Sequence, residues 1–278
     1  DTVSYTNLLP GREYTVSGTL MDKETGKTVL ADGKEITAST TFTPEKSEGS
    51  VDVIFTFDAS IVAPKTVVAF ETLTYKKIQI AVHADIEDKD QTVYIPTIRT
   101  SAKDNVTGIN HTEADKEVTI TDTVTYKGLE VGREYTVSGT LMNQRTGAKI
   151  LVNGKPVTAS TTFTAEEKEG SVEVVFTFDA TALEGTTTVV FETLYTENKE
   201  VAAHTDINDK GQTIYIPKIR TTAISDDTND HVTKADEKIP LIDPVAFTSL
   251  EVGREYTVTG KLMDRAANKP ILVDGKEV

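Results

Sequence analysis

The sequence predicts an all-β fold, in which tandem immunoglobulin-like β-sandwich domains follow one another in a linear array. Short runs of alternating apolar and polar residues fill the 278-residue chain, and none has the 3.6-residue period of an amphipathic helix. In addition, the segment DTVSYTNLLPGREYTVSGTLM at Asp1 returns as DTVTYKGLEVGREYTVSGTLM at Asp122 and as DPVAFTSLEVGREYTVTGKLM at Asp243. The repeat of 121 residues has the size of an independent domain, so each copy is expected to build its own core.

The repeat divides the chain into three parts. Residues 1–96 are predicted to form a repeat that lacks its first strand, residues 97–217 a complete repeat, and residues 218–278 the N-terminal part of a third repeat. Only Pro217 and Lys218 separate the last predicted strand of the central repeat from the first strand of the next one. A linker this short leaves little freedom, so we expect a semi-rigid rod. Because neither end of the sequence coincides with a repeat boundary, we also expect a window on a longer array.

Turn residues separate the strands predicted for the central repeat. Asn153-Gly154 and Glu169-Gly170 are dipeptides typical of hairpin turns. Between such turns we predict strands at Ile98–Ala102, Glu117–Tyr126, Arg133–Leu141, Val157–Thr164, Gly170–Asp179, Thr187–Leu194, Glu200–Ile207 and Gln212–Ile216. Seven or eight short strands in one domain-sized unit are typical of an immunoglobulin-like sandwich.

Charge and composition exclude several classes of partner. The net charge is −15, with 44 acidic and 29 basic residues, whereas nucleic acids and anionic membranes require basic surfaces. No apolar run is long enough to span a bilayer. Cysteine is absent, so any cross-link in this β protein is not a disulfide. The sequence indicates no cofactor and no metal site, and it does not identify a host ligand.

Several polar residues occupy the apolar phase of their strands. Thr100, Asp122 and Gln212 share the phase of core-facing neighbours, Glu192 alternates with valine and leucine, and His204 is expected at the rim of the sandwich. Each of them alone is more often explained by a strand end or a turn. Burying all of them separately would be costly, so their coincidence favours a site in which they satisfy one another. An Asp/Glu pair can share a proton, and a histidine near a hydroxyl can act as its general base.

Three separated motifs carry a family resemblance. The segment DTVxYxxLxxGxEYTVxGTLM, the VVFE run of Val189–Glu192 and the segment HxDIxDxxQT from His204 onward together resemble the VaFE or T-Q ester-bond domains of surface adhesins from Gram-positive bacteria. The resemblance covers the whole repeat. It implies an immunoglobulin-like domain that spontaneously joins a threonine on its first strand to a glutamine on its last strand as an ester, with loss of ammonia.

The resemblance also implies roles for particular residues. In the central repeat it makes Thr100 the nucleophile, Gln212 the acceptor, Asp122 and Glu192 the carboxyl pair, and His204 the proton-transfer group. The neighbouring hydroxyl of Ser101 is an alternative nucleophile, although the strand phase favours Thr100. The matching residues elsewhere are Asp1, Glu71, His83 and Gln91 in the first repeat and Thr221 and Asp243 in the third.

The function that follows from the resemblance is structural. We expect the stalk of a bacterial cell-surface adhesin or fibre, extracellular and anchored to the cell wall. Its partners are expected to be the neighbouring repeats of the same chain. Its cross-linking is expected to be a single-turnover reaction rather than enzymatic turnover. One alternative is a repeat rigidified by calcium at acidic residues such as Asp206 and Asp209. Another is a pilin-type domain with a Lys–Asn isopeptide bond, but Lys103 is out of phase with the core. Finally, His111 and His231 are expected to be solvated.

Overall fold

A computed structural model describes residues 1–278 and confirms the prediction of an all-β fold. The chain divides into two compact units, Asp1–Lys218 and Ile219–Val278. The first unit contains the first two repeats, and the second contains the partial third repeat. No helix in the chain combines the length and the apolar character needed to cross a membrane.

The first repeat contains nine strands and one short helix. Its strands are β1 (Thr2–Tyr5), β2 (Tyr14–Asp22), β3 (Leu30–Ala31), β4 (Lys34–Glu35), β5 (Thr37–Phe42), β6 (Gly49–Asp52), β7 (Lys65–Tyr75), β8 (Ile78–His83) and β9 (Thr92–Ile95), and helix α1 (Ala59–Val62) precedes β7. One sheet has the order β5-β2-β7-β8, with β9 also paired to β7, and β1 pairs with β6.

The second repeat has the same plan with one more long strand at its start. Its strands are β10 (Thr97–Asp104), β11 (Val118–Lys127), β12 (Glu134–Asn143), β13 (Leu151–Val152), β14 (Lys155–Pro156), β15 (Thr158–Thr164), β16 (Glu169–Phe178), β17 (Thr186–Thr196), β18 (Lys199–His204) and β19 (Thr213–Ile216), with a 3₁₀ helix at Thr181–Leu183. A three-stranded sheet β10-β11-β16 and a five-stranded sheet β15-β12-β17-β18, in which β19 pairs with β17, form a sandwich.

The partial third repeat contains only short strands. They are β20 (Lys218–Thr221), β21 (Ile224–Ser225), β22 (Leu241–Ile242), β23 (Val245–Thr248), β24 (Met263–Asp264), β25 (Lys269–Pro270), β26 (Leu272–Val273) and β27 (Lys276–Glu277). β20 pairs with β23, and the remaining strands form two-stranded ribbons.

The long strands of the second repeat match the predicted ones closely, with one instructive difference. Strand β18 ends at His204 and not at Ile207. The chain turns there because the Asp206 carboxylate accepts a hydrogen bond of 2.9 Å from the Asn208 amide and the Asp209 amide bonds back to the Asp206 carbonyl at 3.1 Å. This turn brings the segment that follows β18 back beside β17.

The core of the second repeat lies between its two sheets. Alternate residues of facing strands fill it, as the period of two requires: Ile120, Val124, Val174 and Phe176 come from one sheet and Val137, Leu141, Val190 and Leu194 from the other. Full burial of each such side chain stabilises the fold by roughly 1.5–3 kcal/mol.

Strand β10 closes this core. It pairs antiparallel with β11, and the Ala102 amide also donates a hydrogen bond of 2.9 Å to the carbonyl of Gly211, next to the other sheet. Within residues 1–278 the first repeat has no strand equivalent to β10. As a consequence, Val93 of the first repeat is 58% exposed, whereas its counterpart Ile214 is fully buried.

The first and second repeats make a few contacts with each other within their common unit. Gly128 has a φ of +76°, and an added Cβ would lie 3.3 Å from the Ile95 carbonyl oxygen and 3.4 Å from Pro64. Burial, together with the nearby Glu130 carboxylate, raises the pKa of Tyr94. A Lys168–Glu24 ion pair of 3.5 Å adds a second contact. The two repeats therefore touch beside the linker as well as being joined by the chain.

One expectation about the histidines is wrong. His111 is only 9% exposed, because its ring stacks on Tyr215 with the centroids 4.9 Å apart. The loop that carries it folds back over the sandwich through Asp104, whose carboxylate accepts a hydrogen bond from the Thr112 hydroxyl at 2.9 Å. His231 lies on the surface.

Candidate functional site

Five polar side chains of the second repeat meet between its two sheets. Thr100 comes from β10, Asp122 from β11 and Glu192 from β17. His204 ends β18 directly opposite Glu192, and Gln212 immediately precedes β19. All five candidates predicted for this repeat are thus brought together from strands that are far apart in sequence.

The interior of the site is shielded from solvent. Asp122, Glu192 and Gln212 are fully buried, whereas Thr100 and His204 are partly buried. Ser101, the alternative hydroxyl, is exposed on the other face of β10. The strand alternation of β10 therefore directs Thr100, and not its neighbour, toward the buried groups.

Glu192 joins the threonine to the glutamine. The Thr100 hydroxyl donates a hydrogen bond of 3.1 Å to Glu192 Oε2. The Gln212 amide nitrogen donates to that same carboxyl oxygen and also to Thr100 Oγ1. A single carboxyl oxygen therefore contacts both the hydroxyl and the amide nitrogen.

The two buried carboxyls perturb each other. Burial, followed by the adjacent Asp122, raises the pKa of Glu192 to about 10. Burial also raises the pKa of Asp122, against the opposing influence of Glu192, the Thr100 hydroxyl and the Ser101 amide. Two carboxyls this close and this dry cannot both be ionised at moderate cost. The pair therefore holds at least one proton at neutral pH.

Several buried polar atoms in the site make no hydrogen bond of ordinary length and angle. They are both carboxyl oxygens of Asp122, Glu192 Oε1, Gln212 Oε1 and His204 Nδ1. Buried polar groups are normally satisfied, and each exception costs on the order of 1–3 kcal/mol. Such a concentration of unpaired atoms is typical of groups arranged for chemistry rather than for stability.

Asp209 contacts His204 on the side of the ring that faces away from the buried carboxyls. The His204 Nε2 atom lies 3.0 Å from Asp209 Oδ2, and this leaves Nδ1 on the buried side. Sequence reasoning considered Asp209 only as a possible calcium ligand and missed this contact. The signal was present in the sequence, since the HxDIxDxxQT segment has an aspartate at this position in both repeats.

The first repeat contains the matching groups without a threonine. Glu71 is 3% exposed, both of its carboxyl oxygens lack a partner, and its Oε2 lies 3.9 Å from His83 Nδ1. The Gln91 carboxamide oxygen is likewise buried without a partner, whereas Asp1 is exposed. The position that matches Thr100 lies before residue 1.

The third repeat contributes only two of the predicted residues. Thr221 ends β20, and Asp243 lies between β22 and β23. Both are exposed. Residues 218–278 include no counterpart of Glu192, His204 or Gln212 beside them.

The structure gives little support to the alternative interpretations of the sequence. No group of three or more His, Cys, Asp or Glu side chains is arranged to hold a metal ion. Lys103, the candidate for an isopeptide bond, is exposed on the outer face of β10.

The fold and the site define a β-sandwich repeat with a threonine and a glutamine in contact inside its core. A family model described as "T-Q ester bond containing domain" matches residues 1–95, 96–216 and 217–278. The chain therefore belongs to the T-Q ester-bond domain family. No curated protein sequence matches the chain.

Solved structures with similarity to the chain include an adhesin and a glycosyl hydrolase. A bacterial adhesin from Mobiluncus mulieris containing intramolecular disulfide, isopeptide and ester-bond cross-links has a TM-score of 0.37 and 15% identity, over 55% of this chain and 76% of that one. A glycosyl hydrolase family 2 member from Bacteroides cellulosilyticus has a TM-score of 0.33 and 9% identity, over 82% of this chain and 27% of that one.

Proposed function

We propose that the chain is part of the stalk of a bacterial cell-surface adhesin or fibre, and that its second repeat is locked by an ester between Thr100 and Gln212. Membership of the T-Q ester-bond family supports the class of bond. The observation that carries the assignment to these residues is the mutual contact of Thr100, Glu192 and Gln212 in a dry interior.

The reaction needs one bond to form and one to break. Thr100 Oγ1 attacks the Gln212 carboxamide carbon, and the carbon–Nε2 bond then breaks. The amide nitrogen leaves as ammonia with the proton of the threonine hydroxyl. The products are a side-chain ester and one ammonia, so no oxidant, nucleotide or other co-reactant is required.

Glu192 is suited to move the proton. In its neutral form it can give its own proton to Nε2 while Oε2 accepts the proton of the Thr100 hydroxyl. The raised pKa of Glu192 keeps that neutral form populated at physiological pH. Glu192 contacts both reacting groups directly, so it has a larger part in proton transfer than the sequence analysis gave it.

Asp122 and His204 are placed to respond to the charge that develops during the reaction. Attack on the carboxamide puts negative charge on Gln212 Oε1, which has no hydrogen-bond partner before the reaction and can accept one from a protonated member of the Asp122–Glu192 pair. His204 lies close to Asp122 and has an unpartnered Nδ1 on the buried side. It therefore serves as a second proton acceptor at the rim.

A buried ester persists because water cannot reach it. We do not expect enzymatic turnover, because the acceptor Gln212 is part of the chain and is consumed once. Thr100 and Gln212 are 112 positions apart, so the bond would close almost the whole domain into a loop. A domain closed in this way suits a stalk that resists extension.

Mass spectrometry tests the proposal directly. The purified chain is expected to weigh one ammonia less than its calculated mass, and a digest is expected to yield a branched peptide joining Thr100 to Gln212. Thr100→Val should restore the full mass, whereas the matched Ser101→Ala should not. The calculated mass in a folded wild-type sample, or a branch point at Ser101, would refute the assignment.

A further inference from the structure

Asp209 makes two contacts that belong to different parts of the site. Its Oδ2 lies 3.0 Å from His204 Nε2, and its Oδ1 accepts a hydrogen bond of 2.6 Å from the Gly211 amide, one residue before Gln212. The Asp209 carbonyl also accepts hydrogen bonds from the Gln212 amide at 3.3 Å and from the Thr213 hydroxyl at 2.7 Å. One residue thus touches both the histidine and the turn that carries the glutamine.

The first repeat has the same arrangement independently. Asp88 Oδ2 lies 3.0 Å from His83 Nε2, and Asp88 Oδ1 accepts a hydrogen bond of 2.8 Å from the Asp90 amide. The geometry is the same although residues 1–96 include no counterpart of Thr100 and His83 is far more exposed than His204. The Asp–His contact is therefore a property of the turn and not a by-product of a filled site.

We propose that Asp209 is a positioning residue that fixes the tautomer and ring orientation of His204, with Asp88 doing the same for His83. A carboxylate at Nε2 favours the tautomer whose hydrogen is on that atom, so the lone pair of Nδ1 faces the buried carboxyl pair. The same carboxylate stabilises the ring when it takes up a proton. This inference rests on the proposed ester chemistry.

The chain itself offers a substitution that separates the two roles of Asp209. Asn143 accepts a hydrogen bond of 3.0 Å from the Thr146 amide, and its counterpart Asp22 makes the same kind of turn in the first repeat. An asparagine can therefore replace an aspartate in such a turn. Asp209→Asn should keep the bond to the Gly211 amide while removing the charge at His204 Nε2. The control is Asp206→Asn, because Asp206 is exposed and only caps its own turn.

Kinetics of cross-linking give the first test. The chain is made by cell-free synthesis with a short isotopic pulse, quenched in acid at intervals and digested, and the branched peptide is counted against the linear ones. We expect Asp209→Asn to slow its formation by about 10- to 100-fold, as removal of the hydrogen-bond partner of a metal-binding histidine does. Asp209→Glu should restore most of the rate, and Asp206→Asn should match the wild type.

A double substitution distinguishes positioning of the histidine from support of the turn. In a His204→Ala background, Asp209→Asn should have little further effect, because its partner is already absent. An equal slowing in both backgrounds would overturn the proposal, as would a wild-type rate for Asp209→Asn alone. If no variant, including the wild type, forms the branched peptide, the proposed function fails instead.

Nitrogen NMR of the four histidines gives a readout that does not depend on the ester. Neutral His204, assigned by its loss in His204→Ala, should have its hydrogen on Nε2 in the wild type and lose this preference in Asp209→Asn. His83 should respond in the same way to Asp88→Asn. A hydrogen on Nδ1 of wild-type His204 would overturn the proposal.

Discussion

Thr100 and Glu192 are 92 positions apart in the chain, yet the threonine hydroxyl donates a 3.1 Å hydrogen bond to the glutamate carboxyl inside the sandwich. The contact joins the strand that closes the domain, β10, to the centre of the opposite sheet. It can form only after both sheets have packed. Cross-linking is therefore expected to follow folding and not to guide it.

Replacing Glu192 with glutamine should abolish the ester while keeping the fold. Glutamine has nearly the same shape and is neutral, as the buried glutamate is, so its burial adds no charge penalty. It cannot, however, take up the hydroxyl proton and release another to the leaving nitrogen. Intact mass should equal the calculated value for Glu192→Gln, and circular dichroism should match the wild type. A mass lower by one ammonia would show that Glu192 is dispensable.

Thr100→Val should lower the stability of the second repeat to chemical denaturation. Valine keeps the volume of threonine but has no hydroxyl, so the loop of 112 positions stays open. By analogy with disulfides, closing a loop of this length reduces the entropy of the unfolded chain by an amount worth about 4–5 kcal/mol. Ser101→Ala is the control, and equal denaturation midpoints for the two variants would contradict the prediction.

Gly139→Ala should destabilise the second repeat through a clash. An added Cβ would lie 2.5 Å from the Phe176 ring and 3.4 Å from Glu192 Oε1. Overpacking of this kind costs about 1–3 kcal/mol and would also displace the glutamate, so cross-linking should become slower. The matched control is Gly260→Ala, since nothing lies within 4 Å of an added Cβ at that equivalent position. Similar thermal stability for the two variants would argue against the clash.

The first repeat should be more stable at pH 5 than at pH 8. Burial raises the pKa of Glu71 to about 7, and Asp88 adds to the effect. The folded state thus binds the proton more tightly than the unfolded state, so this contribution is complete below a pH of about 4.5 and is lost as the pH rises through about 7. It amounts to up to about 3 kcal/mol.

Hydrogen exchange of the β7 amides at the two pH values, corrected for the intrinsic rates, measures this change. Glu71→Gln should remove the pH dependence, because a neutral amide does not titrate. A pH dependence that persists in Glu71→Gln would assign the effect to another group.

The strands and the buried polar residues could be predicted from the sequence because both depend on alternation. The run from Val172 to Phe178 specifies its core face by period alone, and the same period identified Thr100 and Asp122. The contact between Asp209 and His204 could not be predicted this way, since it is made by a turn whose shape depends on local backbone hydrogen bonds. The burial of His111 depends on a loop that packs against Tyr215, which no local pattern indicates.

The exposed hairpin at Asn153-Gly154 lies inside the loop that the ester would close. A protease that cuts the chain once at such a turn would leave both pieces attached through Thr100 and Gln212. Release of a fragment would require two cuts within the loop, which free the segment between them, or a cut outside the loop. If proteases reach this hairpin, the cross-link would therefore keep the two ends of the domain connected after a single cleavage.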